Sequence, residues 1–244
     1  MNRTISILTL CTCAALCAPA AGGTIFYFNG PSGLSAEAEF TLISATELEI
    51  RYKNTSTGVP DGFSNSDQIL SGVSWDFGHP GYNGDTMIVG GSVKTGPTSS
   101  SVNFSVQSVG PNTDVSGEFG YGNMDGTGAL TNFVSSNAAQ ATPFGGPNLD
   151  GPVNIDGPQG GLVANPELVP LGGLGAIQNE VIVTLILGNQ PLLDLDFLTK
   201  NGVRFEFGSD AAFGDGVVPE PSSMALGLLG FVGLAAWGWR RRKR

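Results

Sequence analysis

Residues 37–53 read EAEFTLISATELEIRYK, and this stretch decides the fold. In each half of it, apolar and polar residues alternate strictly. The apolar positions are Ala38, Phe40, Leu42, Leu48, Ile50 and Tyr52. A period of two puts alternate side chains on opposite faces of a β-strand. Ser44 and Ala45 lie between the halves and favour a tight hairpin. The stretch therefore predicts two antiparallel strands with one buried face and one face in water.

Further β-type runs lie on both sides of this hairpin. The predicted strands are residues 24–28, 68–77, 86–93, 102–109, 118–121, 180–187 and 202–207. Within the second of these, Gly72 is expected to mark a bulge. Glycine accounts for 37 of the 244 residues, which favours turns over helices. The pattern predicts an all-β fold in which residues 22–216 form a single, jelly-roll-like β-sandwich.

Three parts of this body give less regular patterns. Residues 122–175 are rich in Gly, Pro, Asn and Asp, and are expected to form a long loop that is either functional or poorly ordered. Residues 208–216 are expected to link the body to the C-terminal segment. Residues 180–187, EVIVTLIL, are apolar almost throughout, which predicts a strand covered on both faces.

Residues 1–21 have the form of a secretory signal peptide. A mostly apolar run follows Arg3 and is too short to span a bilayer. Residues 18–20, Ala-Pro-Ala, have the small-x-small form of a cleavage site, so the cut is expected after Ala20 or Ala21. The expected partners at this step are the Sec machinery and signal peptidase.

All three cysteines, Cys11, Cys13 and Cys17, lie inside this leader. A lipoprotein would need a small residue directly before the modified cysteine, and Thr12 and Leu16 fit that pattern poorly. The mature chain would then lack cysteine, which excludes disulfides, thiolate nucleophiles and cysteine-ligated zinc. Its stability must come from the hydrophobic core.

Residues 217–244 form a three-part segment. A Pro-Glu-Pro turn comes first, and the uncharged run from Met224 to Trp239 follows it. As a helix, residues 222–239 would be about 27 Å long, close to the hydrocarbon thickness of about 30 Å. The chain then ends in a basic group, Arg240, Arg241, Arg242, Lys243 and Arg244. These cations are expected to stay in the cytoplasm, which puts the body on the other side of the inner membrane. The alternative is a buried core helix with a solvated basic end.

Residues 218–223, Val-Pro-Glu-Pro-Ser-Ser, together with the apolar run and the basic end, resemble the PEP-CTERM protein-sorting signal. The resemblance implies a Gram-negative bacterial protein recognised by an exosortase, a transpeptidase-like membrane enzyme. It implies that Pro219, Glu220 and Pro221 are the recognition residues and that the enzyme cuts near them. The body would then pass to the cell surface or to an extracellular polysaccharide matrix.

A second resemblance involves the body. Residues 34–40, 48–56 and 69–78 are similar to the N-terminal part of several exosortase-dependent surface proteins. Those bodies look like β-sandwiches with no assigned chemistry, so this resemblance implies the same two-layer fold and adds no activity.

The chain carries a net charge of −10, and six of its eleven basic residues lie in the leader and the basic end. The body is therefore more acidic than the whole chain. A negative body is repelled by nucleic acid and by anionic lipid, so no nucleic-acid partner is expected. Solubility, or calcium bridging to an acidic polymer, is compatible with this charge.

No catalytic constellation is evident in the sequence. His79 is the sole histidine and is expected in an exposed turn, where it cannot build a multi-histidine metal site. No G-x-S-x-G elbow is present, and no pair of carboxylates of the glycosidase type can be nominated. We therefore expect no catalytic residue and no cofactor, while a secreted hydrolase stays open as an alternative.

Calcium is the metal that the oxygen-rich loops would suit. The candidate ligands are residues 123–128, Asp150, Asp156, Asp194 and Asp196. Residue 132 is Asn, where an EF-hand loop needs a bidentate Glu. Asx-turns that satisfy the local backbone explain these residues more simply, so no metal site is assigned.

Aromatic residues could form a sugar-stacking platform. The candidates are Tyr27, Tyr52, Trp75, Tyr82 and Tyr121. Tyr52 and Trp75 lie on apolar faces of predicted strands and are expected in the core. The sequence thus predicts an exported, non-enzymatic surface or matrix protein. Two alternatives stay open besides the hydrolase: a carbohydrate-binding module and a permanently anchored ectodomain.

Overall fold

The computed structural model describes residues 23–77, 88–122, 132–137, 141–151, 155, 157–188, 192, 194–209 and 212–218. A five-stranded sheet contains, in spatial order, β1 (Thr24–Asn29), β2 (Ser35–Ser44), β3 (Glu47–Asn54), β12 (Glu180–Leu187) and β5 (Ile88–Thr95). All of its neighbouring strands are antiparallel.

A second, nine-stranded sheet lies against the first. Its main path is β6 (Ser100–Val102), β11 (Ala176–Gln178), β10 (Leu162–Val163), β4 (Leu70–Trp75), β8 (Asn132–Ser135), β7 (Gly120–Gly122) and β9 (Thr142–Pro143). Strand β13 (Val203–Phe207) pairs with β4, and β14 (Ala212–Asp215) pairs with β13. Short 3-10 turns cover Pro31–Gly33 and Ser116–Glu118, and the α-helix α1 covers Asp196–Asn201.

The hairpin predicted from residues 37–53 is confirmed. Strand β2 pairs with β3 in antiparallel register, with Phe40 opposite Ile50. Phe40, Ile50 and Tyr52 are fully buried, whereas the intervening charged residues are half-buried. The alternation in the sequence thus fixes the register, because a slip of one residue would turn the buried set outward.

One core joins the two sheets. The ring of Phe40 in β2 meets the ring of Trp75 in β4 edge-on, with 5.6 Å between centroids. Phe28 in β1 stacks on Phe205 in β13 at 6.4 Å. Such contacts combine large buried area with favourable ring geometry. The all-β prediction is confirmed, and the jelly-roll topology within that class stays a prediction.

The predicted strand at residues 102–109 is wrong beyond its first residue. Strand β6 ends at Val102, and Asn103 has a left-handed φ of 61°. The chain then turns back on itself, as shown by the hydrogen bond that the Ser101 amide donates to the Val109 carbonyl at 3.2 Å. Val106, which the alternation placed on a strand, is 65% exposed in this loop.

Two weakly patterned regions hold more structure than expected. Residues 122–175 contribute β8, which lies inside the nine-stranded sheet between β4 and β7, as well as β9 and β10. Residues 208–216, expected as a link, contain β14. The prediction of one long loop and of a plain linker is therefore wrong for the described residues of both regions.

Smaller differences concern strand limits. The strand expected at 68–77 is confined to Leu70–Trp75, and its bulge lies where the register shifts next to Gly72. The strand expected at 118–121 begins only at Gly120, after a 3-10 turn. Strand β12 is buried at Ile182 on its outer face, but Ile186 is 43% exposed, so cover on both faces stops before its end.

Candidate functional site

The C-terminal segment leaves the body through a defined junction. After β14 the chain crosses from one sheet to the other at Gly216, whose amide donates to the Val203 carbonyl at 2.7 Å. Val217 then pairs with Tyr27 on the outer edge of β1. The Val217 amide donates to the Tyr27 carbonyl at 2.8 Å, and the Tyr27 amide donates to the Val217 carbonyl at 2.9 Å. The described chain ends one residue later, at Val218.

Glycines allow the chain to pass this closely. A Cβ added to Gly214 would lie 1.9 Å from a ring carbon of Phe28, which is far inside van der Waals contact. A Cβ on Gly216 would lie 3.0 Å from the ring of Phe205. Without a side chain at 214, β14 can lie directly on the aromatic rings that fill this side of the core. The junction is therefore packed as well as hydrogen-bonded.

An ion pair adds little to it. The Arg204 Nε and the Asp215 Oδ1 are 3.1 Å apart, but the Asp215 side chain is 80% exposed. Exposed pairs of this kind contribute about 0.2–1 kcal/mol at most. The two backbone hydrogen bonds of Val217 and the packing of Gly214 on Phe28 therefore hold the segment in place.

The sequence after Val218 is poorly suited to continue this pairing. In an antiparallel ladder the next hydrogen-bonded position after Val217 is residue 219, which would lie opposite Ile25. Residue 219 is proline, which has no amide hydrogen to donate. One of the two hydrogen bonds of a 219–25 pair is therefore excluded, and the Pro-Glu-Pro sequence begins two residues after the Val217 pair.

The predicted sorting and anchoring residues lie outside the described part of the chain. They are Ala20, Ala21, Pro219, Glu220, Pro221, Met224, Trp239 and the basic end from Arg240 to Arg244. Within the described residues no helix is long and apolar enough to cross a membrane. The predicted helix at 222–239 falls entirely in the part of the chain that is not described.

Among the calcium candidates that the structure describes, Asp150, Asp194 and Asp196 do not form one site. Asp194 accepts a hydrogen bond from the amide of Asp196 at 3.0 Å, which is an Asx-turn. Asp150 accepts a hydrogen bond from the Gln159 amide group. Over the described ranges, no group of three or more His, Cys, Asp or Glu side chains could hold a metal ion. His79, residues 123–128 and Asp156 fall outside those ranges.

The aromatic candidates separate into core and edge residues. Tyr52 and Trp75 are fully buried, as predicted. Burial, and secondarily the negative charge of Glu206, raise the pKa of the Tyr52 hydroxyl far above its ordinary value, so this side chain stays neutral. Tyr121 is half-buried, with its ring 4.9 Å from that of Phe144. Tyr82 lies outside the described residues.

Sequence reasoning did not identify the residues that form the junction. In the sequence Tyr27 is a candidate only for sugar stacking by its ring, whereas in the structure its backbone binds the C-terminal segment. Val217 was assigned to the sorting segment, but it pairs with the body. One signal was available: Val217 and Val218 directly precede Pro219, and short β-branched runs next to a proline are typical of edge strands.

Comparison with known proteins identifies the segment that begins at this junction. Residues 217–243 match the family model of the PEP-CTERM protein-sorting motif. The match begins at Val217, the residue that pairs with Tyr27 of the body. No curated protein and no solved structure shows a significant match to the chain. The motif implies an exosortase partner, export, and sorting to the bacterial cell surface.

Proposed function

We propose that this chain is a non-enzymatic surface or matrix protein, whose β body is delivered by exosortase processing at Pro219-Glu220-Pro221. The observation that carries the proposal is the position of the sorting motif, which begins at Val217, directly after the last described strand of the body. Every described strand of the two sheets lies before the motif, and the last of them, β14, ends at Asp215. Cutting beyond Val218 would leave both sheets and the core unchanged.

The chemistry of the described body supports a non-enzymatic role. The outward carboxylates of β2 lie opposite cations of β3, with Glu39 opposite Arg51 and Glu37 opposite Lys53. Such cross-strand pairs stabilise a sheet rather than activate a substrate. Glu118 is 1% exposed, and one carboxylate oxygen accepts a hydrogen bond from the backbone amide of Leu149. That contact gives Glu118 a structural role in holding a loop.

The test follows the fate of the body in the native host. The tagged chain is expected at the cell surface or in the matrix when the exosortase is present, and in the inner membrane when the enzyme is deleted. Mass spectrometry of the mature protein gives the C-terminus, which is expected to lie close to Pro219–Pro221. An intact C-terminus at Arg244 in wild-type cells would instead establish the permanently anchored ectodomain.

A matched pair of variants makes the test specific. Replacing Pro219, Glu220 and Pro221 by alanine is expected to leave the body uncut. The control replaces Pro60 and Asp61, a neighbouring proline and carboxylate in a loop of the body, by alanine. The control is expected to be processed as the wild type is. Equal processing of both variants would contradict the assignment of the recognition residues.

Carbohydrate binding is the second candidate, favoured by the half-buried pair of Tyr121 and Phe144 at the β7–β9 edge of its sheet. Aromatic faces of this kind stack on sugar rings. The test is binding of the purified body to the exopolysaccharide of the host, with and without calcium. Tyr121→Ala is expected to abolish that binding, and Tyr121→Phe to retain it. If the body binds no polysaccharide either with or without calcium, delivery of the body to the surface or matrix stays the sole supported role.

A further inference from the structure

Two β-bulges lie at one end of the five-stranded sheet. The β2–β3 register shifts between Leu42 and Ser44, which leaves Ile43 without a partner on β3. The β12–β5 register shifts between Ile186 and Leu187, which leaves Val89 without a partner on β12. Bulges re-aim the side chains of the extra residues. Here both extra residues are aliphatic and exposed, Ile43 by 52% and Val89 by 57%.

Ile186 lies between these two bulges. Its pairing partners are Glu47 on β3 and Gly90 on β5, and Glu47 in turn pairs with Ser44. Ile186 is itself 43% exposed. Ile43, Ile186 and Val89 therefore occupy the same end of four neighbouring strands, and we call these three residues the aliphatic end of the sheet.

Both termini of the body are directed toward the aliphatic end. Strand β1 pairs Thr24 with Phe40, so the chain before Thr24 runs alongside the part of β2 that leads to Ile43. Val217 is antiparallel to β1 and therefore runs in the same direction as β2. The leader and the sorting tail thus both leave the body toward the end that exposes Ile43.

The rise of β2 from Glu37 to Ile43 is similar to the greatest length that the chain can span from Val217 to Ser222. Tyr27, the partner of Val217, lies opposite Glu37. From Glu37 to Ile43 a strand rises about 20 Å, at about 3.3 Å per residue. From Val217 to Ser222 an extended chain spans at most about 17 Å, and prolines at 219 and 221 favour extension. A chain extended from Val217 would therefore reach close to the level of the aliphatic end by Ser222.

We propose that the aliphatic end is the surface with which the tail-anchored precursor rests on the lipid bilayer that residues 222–239 enter. This inference rests on the proposed function, because it requires the apolar run to be anchored in that bilayer before processing. The occupant is the lipid interface itself, because the bilayer is the surface that residues 222–239 would enter and the three exposed side chains are uncharged and aliphatic.

The contact between the aliphatic end and the bilayer is weak enough to be temporary. Moving a half-exposed aliphatic side chain out of water favours the membrane-contacting (seated) body over the free body by about fivefold in the equilibrium constant. Three such side chains together give about a hundredfold, which is sufficient only while the tail keeps the body at the membrane. Glu47 and Glu49 lie on the strand between Ile43 and Ile186, and their carboxylates oppose contact with anionic lipid. Cleavage of the tail would then release the body.

The test uses the full chain, purified uncut from a host without exosortase and reconstituted into vesicles. The leader cysteines are replaced by serine, and single labels are attached through Ser44→Cys beside Ile43 or Thr98→Cys beyond the opposite end of β5. Both sites are exposed. The vesicles contain phosphatidylcholine and phosphatidylethanolamine with a quencher in the headgroup region. Quenching is expected at residue 44 and at most weakly at residue 98.

Substitutions within the aliphatic end identify its contribution. Ile43→Ser combined with Ile186→Ser is expected to lower the ratio of membrane-contacting to free body, measured by quenching at residue 44, by about 25-fold, at about fivefold per residue. Val106→Ser, which removes an exposed aliphatic side chain outside the aliphatic end, is expected to change nothing. Adding phosphatidylglycerol is expected to weaken the contact, because the nearby carboxylates repel it.

Each outcome has a distinct meaning. Equal quenching at residues 44 and 98, or no effect of the double substitution, overturns the inference but leaves the sorting proposal standing. Contact that appears only after the exosortase is added assigns the surface to a protein partner and also overturns it. A chain that does not co-float with vesicles contradicts the anchored precursor, and the proposed function fails together with the inference.

Discussion

Tyr52 shows how a single buried hydroxyl shapes stability. The side chain is fully buried, and its hydroxyl has no hydrogen-bond partner among the described residues. A buried polar group without a partner costs about 1–3 kcal/mol. Its neighbours include the edge-on ring of Phe119 at 6.5 Å, which secures the aromatic part of the side chain. The ring therefore stabilises the core and the hydroxyl does not.

Tyr52→Phe is accordingly expected to raise the free energy of unfolding at pH 7 by about 1 kcal/mol. Burial raises the pKa of the folded Tyr52 hydroxyl, whereas the unfolded tyrosine ionises near pH 10. The wild type therefore loses stability as pH rises above about 10, by about 1.4 kcal/mol per pH unit from this group. The variant lacks that loss. Urea denaturation at pH 7, 10 and 11 measures both effects.

Tyr121→Phe is the control, because Tyr121 is half-buried beside Phe144. It is expected to change the free energy of unfolding at pH 7 by less than about 0.5 kcal/mol. If Tyr52→Phe destabilised the protein at pH 7, the hydroxyl would have to be satisfied in solution, and our description of its surroundings would be incorrect.

Asn54 is the opposite case, a buried polar side chain with all its contacts made. Its amide group donates to the Gln68 carbonyl at 2.8 Å and to the Leu162 carbonyl at 3.0 Å, and its oxygen accepts the Ser56 amide at 3.1 Å. These bonds tie β3 of one sheet to β10 of the other. Asn54→Ala leaves three buried backbone groups without partners, so we expect a loss of about 3 kcal/mol.

Chemical denaturation of the purified body measures this loss. Asn29→Ala, at an exposed position at the end of β1, is the matched control and is expected to change stability by less than about 0.5 kcal/mol. A similar small change for Asn54→Ala would show that water replaces the three contacts, and would remove the tie between the sheets.

Among the structural elements, β14 and the Val217 pair depend on one another. Strand β14 carries the chain along β13 and over Phe28 to the edge of β1. Gly214→Ala puts a Cβ onto the Phe28 ring, and overpacking of this kind costs about 1–3 kcal/mol. The displaced strand is expected to loosen the pairing of Val217 with Tyr27, so hydrogen exchange at both amides should accelerate.

Gly90→Ala provides the comparison, since no heavy atom lies within 4 Å of a Cβ added there and its strand position is compatible with alanine. It is expected to leave exchange at Tyr27 and Val217 unchanged. Unaltered exchange in Gly214→Ala would mean that the Val217 pair forms independently of β14.

The elements differ in how much of them the sequence reveals. The β2–β3 hairpin is predictable because alternation over two adjacent strands needs no distant partner. Strand β8, with only four residues, is fully buried between β4 and β7, so its strand character depends on neighbours distant in the chain. Helix α1 has six residues, too few for a helical period to be recognised. Only local patterns can be predicted in this way.

The candidate site divides along the same line. The sorting segment from Val217 to Arg244 could be predicted because its proline turn, apolar run and basic end are contiguous in the sequence. The junction could not, because Tyr27 and Val217 lie at opposite ends of the body and meet only through the stacking of the two sheets. From the sequence alone, glycines at 214 and 216 are typical of a linker. The structure shows that they pack against the rings of Phe28 and Phe205.

At the scale of the whole molecule, the Val217 pair brings the two ends of the body together. Both ends lie on the outer edge of β1, so the body is nearly closed on itself. Domains with adjacent termini tolerate circular permutation at exposed loops. Folding of the body is then expected to depend on the completed two-sheet core more than on the order of the strands along the chain.

A permuted body therefore tests this topology. Val218 is joined to Gly23 by about six residues of Gly and Ser, enough to return along the edge of β1, and new ends are opened between Asp61 and Gly62. Both of these residues are exposed and lie outside the strands. The permutant is expected to unfold cooperatively within about 2 kcal/mol of the linear body, because all strand pairs are kept. Opening the chain between Ile50 and Arg51 instead would break β3 in the middle of its sheet, and that permutant is expected not to fold. If the first permutant also failed, Val217 and Gly23 would not be neighbours in solution, and the common exit of leader and tail would have to be abandoned.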